Sequence, residues 1–166
     1  MGKESLAEAS AEEHRLTEKL SSLTLLPVQG RASSPIASQV VGRTYHVDAN
    51  AMQIETIALH ASESGWTVNI KTTAGEETIS CGHDVWQPGQ TTLFNDLSLV
   101  GPTPVVASGA WTAKENFTMV VRLYETPFFH TLVYHFVGDE MLIETWVNVS
   151  LEATKTLLLT AHSTLT

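Results

Sequence analysis

The sequence predicts an all-β fold, an antiparallel up-and-down barrel of about eight strands, on three observations. From residue 40 onward, Val, Ile, Thr and aromatic residues alternate with polar residues, as in half-buried strands. Hairpin-sized turns such as Thr73–Gly75 and Gly138–Asp139 join these segments. No helical stretch separates these segments. Because parallel neighbouring strands would need long crossover connections, the segments are expected to pair antiparallel. A two-sheet sandwich gives similar patterning and is kept as the alternative fold.

The strand candidates follow one another at short spacing. They are Val40–Val47, Ile54–Ala61, Trp66–Thr72, Glu76–Gly82, Val105–Trp111, Phe117–Glu125, Phe129–Val137 and Met141–Val149. The segment Gln87–Pro104 is too long for a plain turn, so we expect a loop with a short helix or strand around Leu93–Val100.

The first 35 residues precede the barrel. Residues 3–23 lack Gly and Pro and carry Leu16, Leu20 and Leu23 at i, i+4 and i+7, which predicts one short helix with a narrow apolar stripe. Pro and Ser then break the pattern and indicate a linker. We therefore divide the chain into a helix and linker, residues 1–35, and a barrel domain, residues 36–166.

Composition excludes several functional classes. Nine basic and 18 acidic residues among 166 give a net charge of −9, which disfavours nucleic acid as a partner. No apolar run approaches the roughly 20 residues that span a bilayer, so we expect no membrane association. The glutamate-rich first twenty residues do not resemble a signal peptide. The single cysteine excludes an internal disulfide and a Cys-rich zinc site.

Motifs for chemistry are sparse. The sequence contains no G-x-S-x-G elbow, no phosphate-binding glycine loop and no S-x-x-K pair. His83 and Asp84 resemble half of a charge relay, but adjacent residues on one loop rarely orient each other. Cys81 is interpreted as a small buried residue, and His46 and His60 as hydrogen-bonded surface imidazoles. We expect no catalytic residue, no cofactor and no metal.

Aromatic residues are the candidates for a ligand site or an interface. Small barrels sometimes hold one small molecule, and large aromatic side chains suit the wall of such a cavity. The candidates are Trp66, Trp86, Trp111, Tyr134 and Trp146. The alternative interpretation is that the tryptophans fill the core and cap the barrel ends.

Five stretches resemble a known family. They are Gly42–Asn50, Gly82–Trp86, Ser108–Thr112, Arg122–Phe128 and Phe136–Asp139. Together they resemble the C-terminal β-domain that follows the catalytic domain in many bacterial β-lactamase-like serine hydrolases, relatives of the penicillin-binding proteins. The match covers roughly residues 16–162, and its motifs are structural.

The resemblance implies a lipocalin-like barrel without catalytic residues of its own. Such a domain would be a non-catalytic accessory part of a serine hydrolase, with the catalytic domain of the same protein or a neighbouring chain as its partner. It would stabilise that domain or shape the mouth of its active site, with residues 87–104 as the candidate contact. A bacterial cytoplasmic location is favoured, and an oligomer is left open.

Two other functions remain as alternatives. One is a stand-alone lipocalin-like barrel that binds a small molecule. The other is an independent enzyme that uses His83, Asp84 or Cys81.

Overall fold

A ten-stranded sheet closed into a barrel forms the body of the protein. It was obtained as a computed structural model that describes residues 4–94, 101–149 and 157–163. The strands are β1 Thr44–Val47, β2 Ile54–Ser62, β3 Gly65–Thr72, β4 Gly75–Gly82, β5 Gln87–Thr91, β6 Thr103–Trp111, β7 Asn116–Arg122, β8 Phe129–Val137, β9 Glu140–Val147 and β10 Leu157–Ser163. Helix α1 spans Glu4–Ser22 and helix α2 spans Ala37–Val40.

The strands form an up-and-down meander. Consecutive strands pair antiparallel from β1 to β4 and again from β5 to β10, and β10 returns to pair with β1. No ladder joins β4 to β5, both of which lie wholly within the described residues. We call this gap the seam. The closed antiparallel barrel is confirmed, with ten strands in the part of the chain that the structure describes instead of about eight. The single continuous sheet excludes the sandwich.

Three segments differ from the sequence prediction. Gln87–Thr91 is a strand inside the predicted loop, and its Gln-Pro-Gly-Gln sequence has no apolar alternation to reveal it. Pro88 is tolerated because β5 has a free side at the seam.

The last strand, Leu157–Ser163, begins with three consecutive leucines that hide its period of two. The first predicted strand shortens to Thr44–Val47 because Ala37–Val40 is helical. A short helix or strand was also predicted around Leu93–Val100. Residues 95–100 of that segment lie outside the described residues.

The barrel interior has an aromatic half and an aliphatic half. We call one end of the barrel the linker end; it carries the turns 63–64, 112–115 and 138–139. We call the opposite end the pocket end; it carries the connections 48–53, 73–74 and 123–128. The linker-end half is filled by Tyr45, Trp66, Trp111, Phe117, Tyr134 and Phe136. Contacting rings have centroids 5.5 to 6.1 Å apart, within the range that aromatic pairs prefer. The buried residues of the other half include Ile54, Ile70, Val105, Val121, Leu132 and Leu159.

At the linker end, β4 pairs in parallel with β6 at Gly82 and Ser108, and the hydroxyl of Ser108 and residues 28–31 complete the closure. Ser108 Oγ donates to the carbonyl of Gly82 at 3.1 Å and accepts from the N–H of Val28 at 3.0 Å. Arg31 and Trp111 exchange two backbone hydrogen bonds of 2.9 Å, as in an antiparallel strand pair. Residues 28–31 therefore act as a short extra strand beside the part of β6 that extends past Gln87, the first residue of β5.

The same segment seals the linker end of the barrel. Gly30 lies so close to β6 that a Cβ there would come within 2.7 Å of the Trp111 carbonyl oxygen. Trp66 Nε1 donates to the carbonyl of Ala32 at 2.9 Å, and Val40 of α2 is buried in the core. The division of the chain at residue 35 stays a prediction, but residues 28–32 make structural contacts with the barrel.

At the pocket end, the carboxylate of Glu77 bridges the seam. Glu77 faces inward from β4 and accepts hydrogen bonds from the hydroxyls of Thr91 and Thr92. It also accepts from the N–H of Thr92 at 2.9 Å. One side chain thus holds the end of β5 against β4 where no ladder exists.

Two leucines of helix α1, and the leucine that follows the helix, face solvent. Leu16 and Leu20 are each 57% exposed, and Leu23 is 70% exposed. Among the described residues, no helix is long and apolar enough to cross a membrane.

Replacing Glu77 with alanine is expected to destabilise the barrel by about 1–3 kcal/mol, because three donors lose a charged acceptor. Glu76→Ala is the matched control, since Glu76 is the exposed neighbour and its loss is expected to cost within about 0.5 kcal/mol. Urea unfolding of both variants measures the difference. Equal stability of the two variants would contradict a structural role for Glu77.

Candidate functional site

The structure brings three of the five predicted aromatic residues together. Trp66, Trp111 and Tyr134 face the barrel interior and are buried. Trp86 is outside, where its Nε1 donates to the carbonyl of Leu25 at 2.8 Å. Trp146 follows the buried Thr145 and therefore points outward. The two outer tryptophans do not line the interior of the barrel.

The residues considered for catalysis do not form a catalytic group. His83 lies 3.3 Å from the carboxylate of Asp84 and 3.3 Å from the carbonyl oxygen of Gly30, so it ties its turn to the linker. Cys81 is buried inside the wall, and its thiol donates to the carbonyl of Trp66 at 3.3 Å. Burial raises the pKa of the Cys81 thiol to about 12. It therefore stays protonated at neutral pH and lacks the thiolate that a nucleophile needs.

The histidines are spread over both faces of the sheet. His130 faces inward and is 8% exposed, whereas His135, five residues later, lies outside beside Asn116 and Glu144. Within the part of the chain that the structure describes, no three His, Cys, Asp or Glu side chains are placed to share a metal ion.

A pocket of about 300 Å³ lies at the pocket end of the barrel. Its lining residues are Ala51, Met52, Leu93, Phe94, His130, Thr145, Trp146, Val147 and Leu157. The ring of Phe94 stacks on that of His130, with centroids 4.1 Å apart and planes 18° from parallel. His130 and Thr145 face inward from adjacent strands, so the pocket combines apolar walls with two polar side chains at the entrance to the interior.

A second pocket, of about 400 Å³, lies at the linker end beside α2. The ring of Trp66 stands between it and the interior, and the bond from Trp66 to Ala32 holds that ring in place. This end is therefore the closed end of the barrel, and the pocket beside Phe94 is the better candidate for a binding site.

Among the solved structures, the crystal structure of a fatty acid-binding protein from brain tissue of Drosophila melanogaster, without citrate inside, matches with a TM-score of 0.53. The match has 12% sequence identity and covers 75% of this chain and 99% of that chain. The chain has a fatty-acid-binding-protein-like barrel fold. No family model and no curated protein matches the sequence.

These comparisons confirm one part of the resemblance. The lipocalin-like barrel is present, whereas these findings give no link to a β-lactamase-like serine hydrolase. The motifs that carried the resemblance are structural: Gly82, Ser108 and Trp111 all lie at the seam.

Sequence reasoning missed Phe94 and the role of His130. By alternation His130 shares a face with Leu132 and Tyr134, and the structure shows that this face is buried. Phe94 lies in an irregular connection, where no periodicity exists to indicate its burial. The one available signal was a large aromatic side chain within a polar loop.

Tight packing around Gly109 makes the aromatic half intolerant of added volume. A Cβ at Gly109 would lie 2.7 Å from Phe117 Cζ and 2.9 Å from Cys81 Sγ. We expect Gly109→Ala to destabilise the protein by about 1–3 kcal/mol through overpacking. Gly89→Ala on β5 is the control, because its Cβ would meet nothing nearer than 4.0 Å. Thermal unfolding compares them, and an equal effect at both sites would refute the tight packing.

Proposed function

We propose that this protein binds a small apolar molecule at the pocket end of its barrel and catalyses no reaction of its own. The observation that carries the proposal is the pocket beside Phe94, where apolar side chains surround the inward-facing His130 and Thr145. Mostly apolar walls with a few fixed polar groups are typical of small-molecule sites. A volume of about 300 Å³ suits a compact ligand.

The fold comparison supports binding as the functional class. The similar Drosophila protein is named for binding fatty acids, and it shares the closed barrel with this chain. Because one fold hosts many functions, the class of ligand has to come from the residues of this pocket.

The stacked pair of Phe94 and His130 is the part of the site that a ligand would meet first. Both rings are largely buried, at 4% and 8% exposure. An apolar ligand can replace the ring of Phe94 on His130 or pack against it, and either arrangement keeps the imidazole covered. The site thus offers a flat aromatic contact at the entrance and aliphatic walls beyond it.

The test fills the pocket with a bulky side chain and compares ligand binding with that of a variant carrying the same substitution at the adjacent, outward-facing position. Leu157 lines the pocket, whereas Leu158 points out and is 59% exposed. A neutral fluorescent probe, N-phenyl-1-naphthylamine, is expected to bind the wild-type protein saturably at one site. Leu157→Trp should weaken that binding at least tenfold, about 1.4 kcal/mol, and Leu158→Trp should leave it unchanged. Non-saturable binding, or equal weakening by both substitutions, would overturn the proposal.

A second candidate function is the accessory domain of a serine hydrolase, with the catalytic domain as partner. The observation that favours it is the exposed stripe of Leu16, Leu20 and Leu23, because exposed apolar patches mark interaction surfaces. The resemblance to C-terminal domains of these hydrolases supports the same proposal.

If the stripe belongs to a partner, the isolated chain is expected to self-associate through it. Leu16→Ser/Leu20→Ser should then be monomeric in sedimentation experiments at an unchanged melting temperature, since neither leucine is buried. A double variant that melts at a lower temperature would show that the helix packs on its own barrel, and would contradict the accessory role of this stripe.

A further inference from the structure

Arg122 is a cation without an anion on the outer wall of the barrel. It ends β7 between the buried residues Val121 and Leu123, so its side chain points outward. Within the described part of the chain, no carboxylate lies within 4.0 Å of its guanidinium nitrogens, not even that of Glu125, three residues later. Its Nε is buried and has no hydrogen-bond partner there. In a chain with 18 acidic and nine basic residues, such an arginine calls for an explanation.

Apolar side chains flank Arg122. Strand register aligns four outward-facing residues in one row across β5 to β8: Pro88, Val106, Arg122 and Phe129. The guanidinium carbon lies 4.3 Å from the ring centroid of Phe129 and 5.3 Å from that of Trp86. We call these five residues the outer patch. Arginine and tryptophan are enriched at the energetic centres of protein interfaces, so the outer patch is suited to hold another protein segment.

Helix α1 offers a surface of the complementary kind. Every side chain from residue 11 to the end of the helix is exposed, whereas helices in proteins gain most of their stability from packing an apolar face. Glu13, Leu16 and Leu20 lie at i, i+3 and i+7 and share one face, and Leu23 continues it. Among the described residues, Glu13 has no ion pair. The face therefore combines a carboxylate without a cation and a row of leucines without a covering surface.

The helix face and the outer patch match in charge and in length. Glu13 supplies the anion that Arg122 lacks, and a guanidinium fork is well suited to a carboxylate. The stretch from Glu13 to Leu23 extends about 15 Å along a helix. The row from Pro88 to Phe129 crosses three strand spacings, about 14 Å. One helix face can thus cover the row and pair its single charge.

A second copy of the chain fits this arrangement better than the chain's own helix. The carbonyl of Leu25 accepts from Trp86 Nε1 at 2.8 Å, so α1 ends only three residues before a contact with its own outer patch. To lie on that patch, the helix would have to reverse direction within residues 23 and 24. A neighbouring copy has no such constraint. Because each helix begins beside its own patch, two copies can exchange helices about a two-fold axis.

We infer that the protein forms a dimer in which α1 of each copy lies on the outer patch of the other, with Glu13 paired to Arg122. The inference concerns the outer wall of the barrel and does not rest on the proposed binding function. It names a second copy, instead of a catalytic domain, as the partner of the leucine stripe.

The experiment is sedimentation velocity on charge-reversed variants and on their mixture. The wild-type chain is expected to be a dimer at micromolar concentration. Arg122→Glu and Glu13→Arg each bring like charges together in both contacts, so each variant alone should dimerise at least tenfold more weakly. Lys114→Glu is the matched control, because it makes the same change of charge on an exposed turn and should leave the dimer unchanged.

An equimolar mixture of Arg122→Glu and Glu13→Arg should recover dimers of wild-type affinity. In the mixed dimer one contact keeps the natural Glu13 and Arg122, and the other joins the two reversed charges. A helix that packs on its own barrel gives no such recovery, and neither does a misfolded variant. A monomeric wild-type chain would overturn the inference, and so would a mixture that stays monomeric while circular dichroism shows both variants folded.

Discussion

Closure of the seam between β4 and β5 is the constraint on which the rest of the structure depends. Each of the other strand junctions among the described residues is held by a ladder of backbone hydrogen bonds, whereas this opening is held by one parallel pairing of Gly82 on β4 with Ser108 on β6, a few side chains and a piece of the linker. Ser108 joins β6 to Gly82 and to Val28 at one end, and Glu77 joins β4 to Thr91 and Thr92 at the other. The aromatic half packs directly behind the Ser108 end, so water is kept from its rings only while that end is closed.

The two ends of the barrel are suited to different tasks. At the linker end, hydrogen bonds to Ala32 and Arg31 hold Trp66 and Trp111 in place, which fixes both rings. At the pocket end, the rings of Phe94 and His130 stack beside the pocket. Under the proposed binding function, the linker end is the rigid, closed end of the barrel and the pocket end is the side from which a ligand would enter.

The sequence predicts the strands in which apolar and polar residues visibly alternate and misses those in which the alternation is absent or hidden. Alternation groups Trp66 with Val68, and His130 with Tyr134, and the structure shows both of these faces buried. The sequence analysis missed β5, because its exposed Pro and Gly residues show no apolar alternation. It also missed β10, because three consecutive leucines hide the alternation of that strand. Residues 28–31 were interpreted only as a linker, because they contact the barrel through backbone groups that no side-chain pattern encodes.

Amide hydrogen exchange in Ser108→Ala tests the importance of the seam most directly. Removing the hydroxyl leaves the Gly82 carbonyl and the Val28 N–H without this partner. The amides of Arg31 and Trp111 should then exchange at least tenfold faster, about 1.4 kcal/mol of lost protection. Amides of the β8–β9 ladder, far from the seam, should keep wild-type rates. Unchanged protection of Arg31 and Trp111 would contradict the account, because the barrel would then close without Ser108.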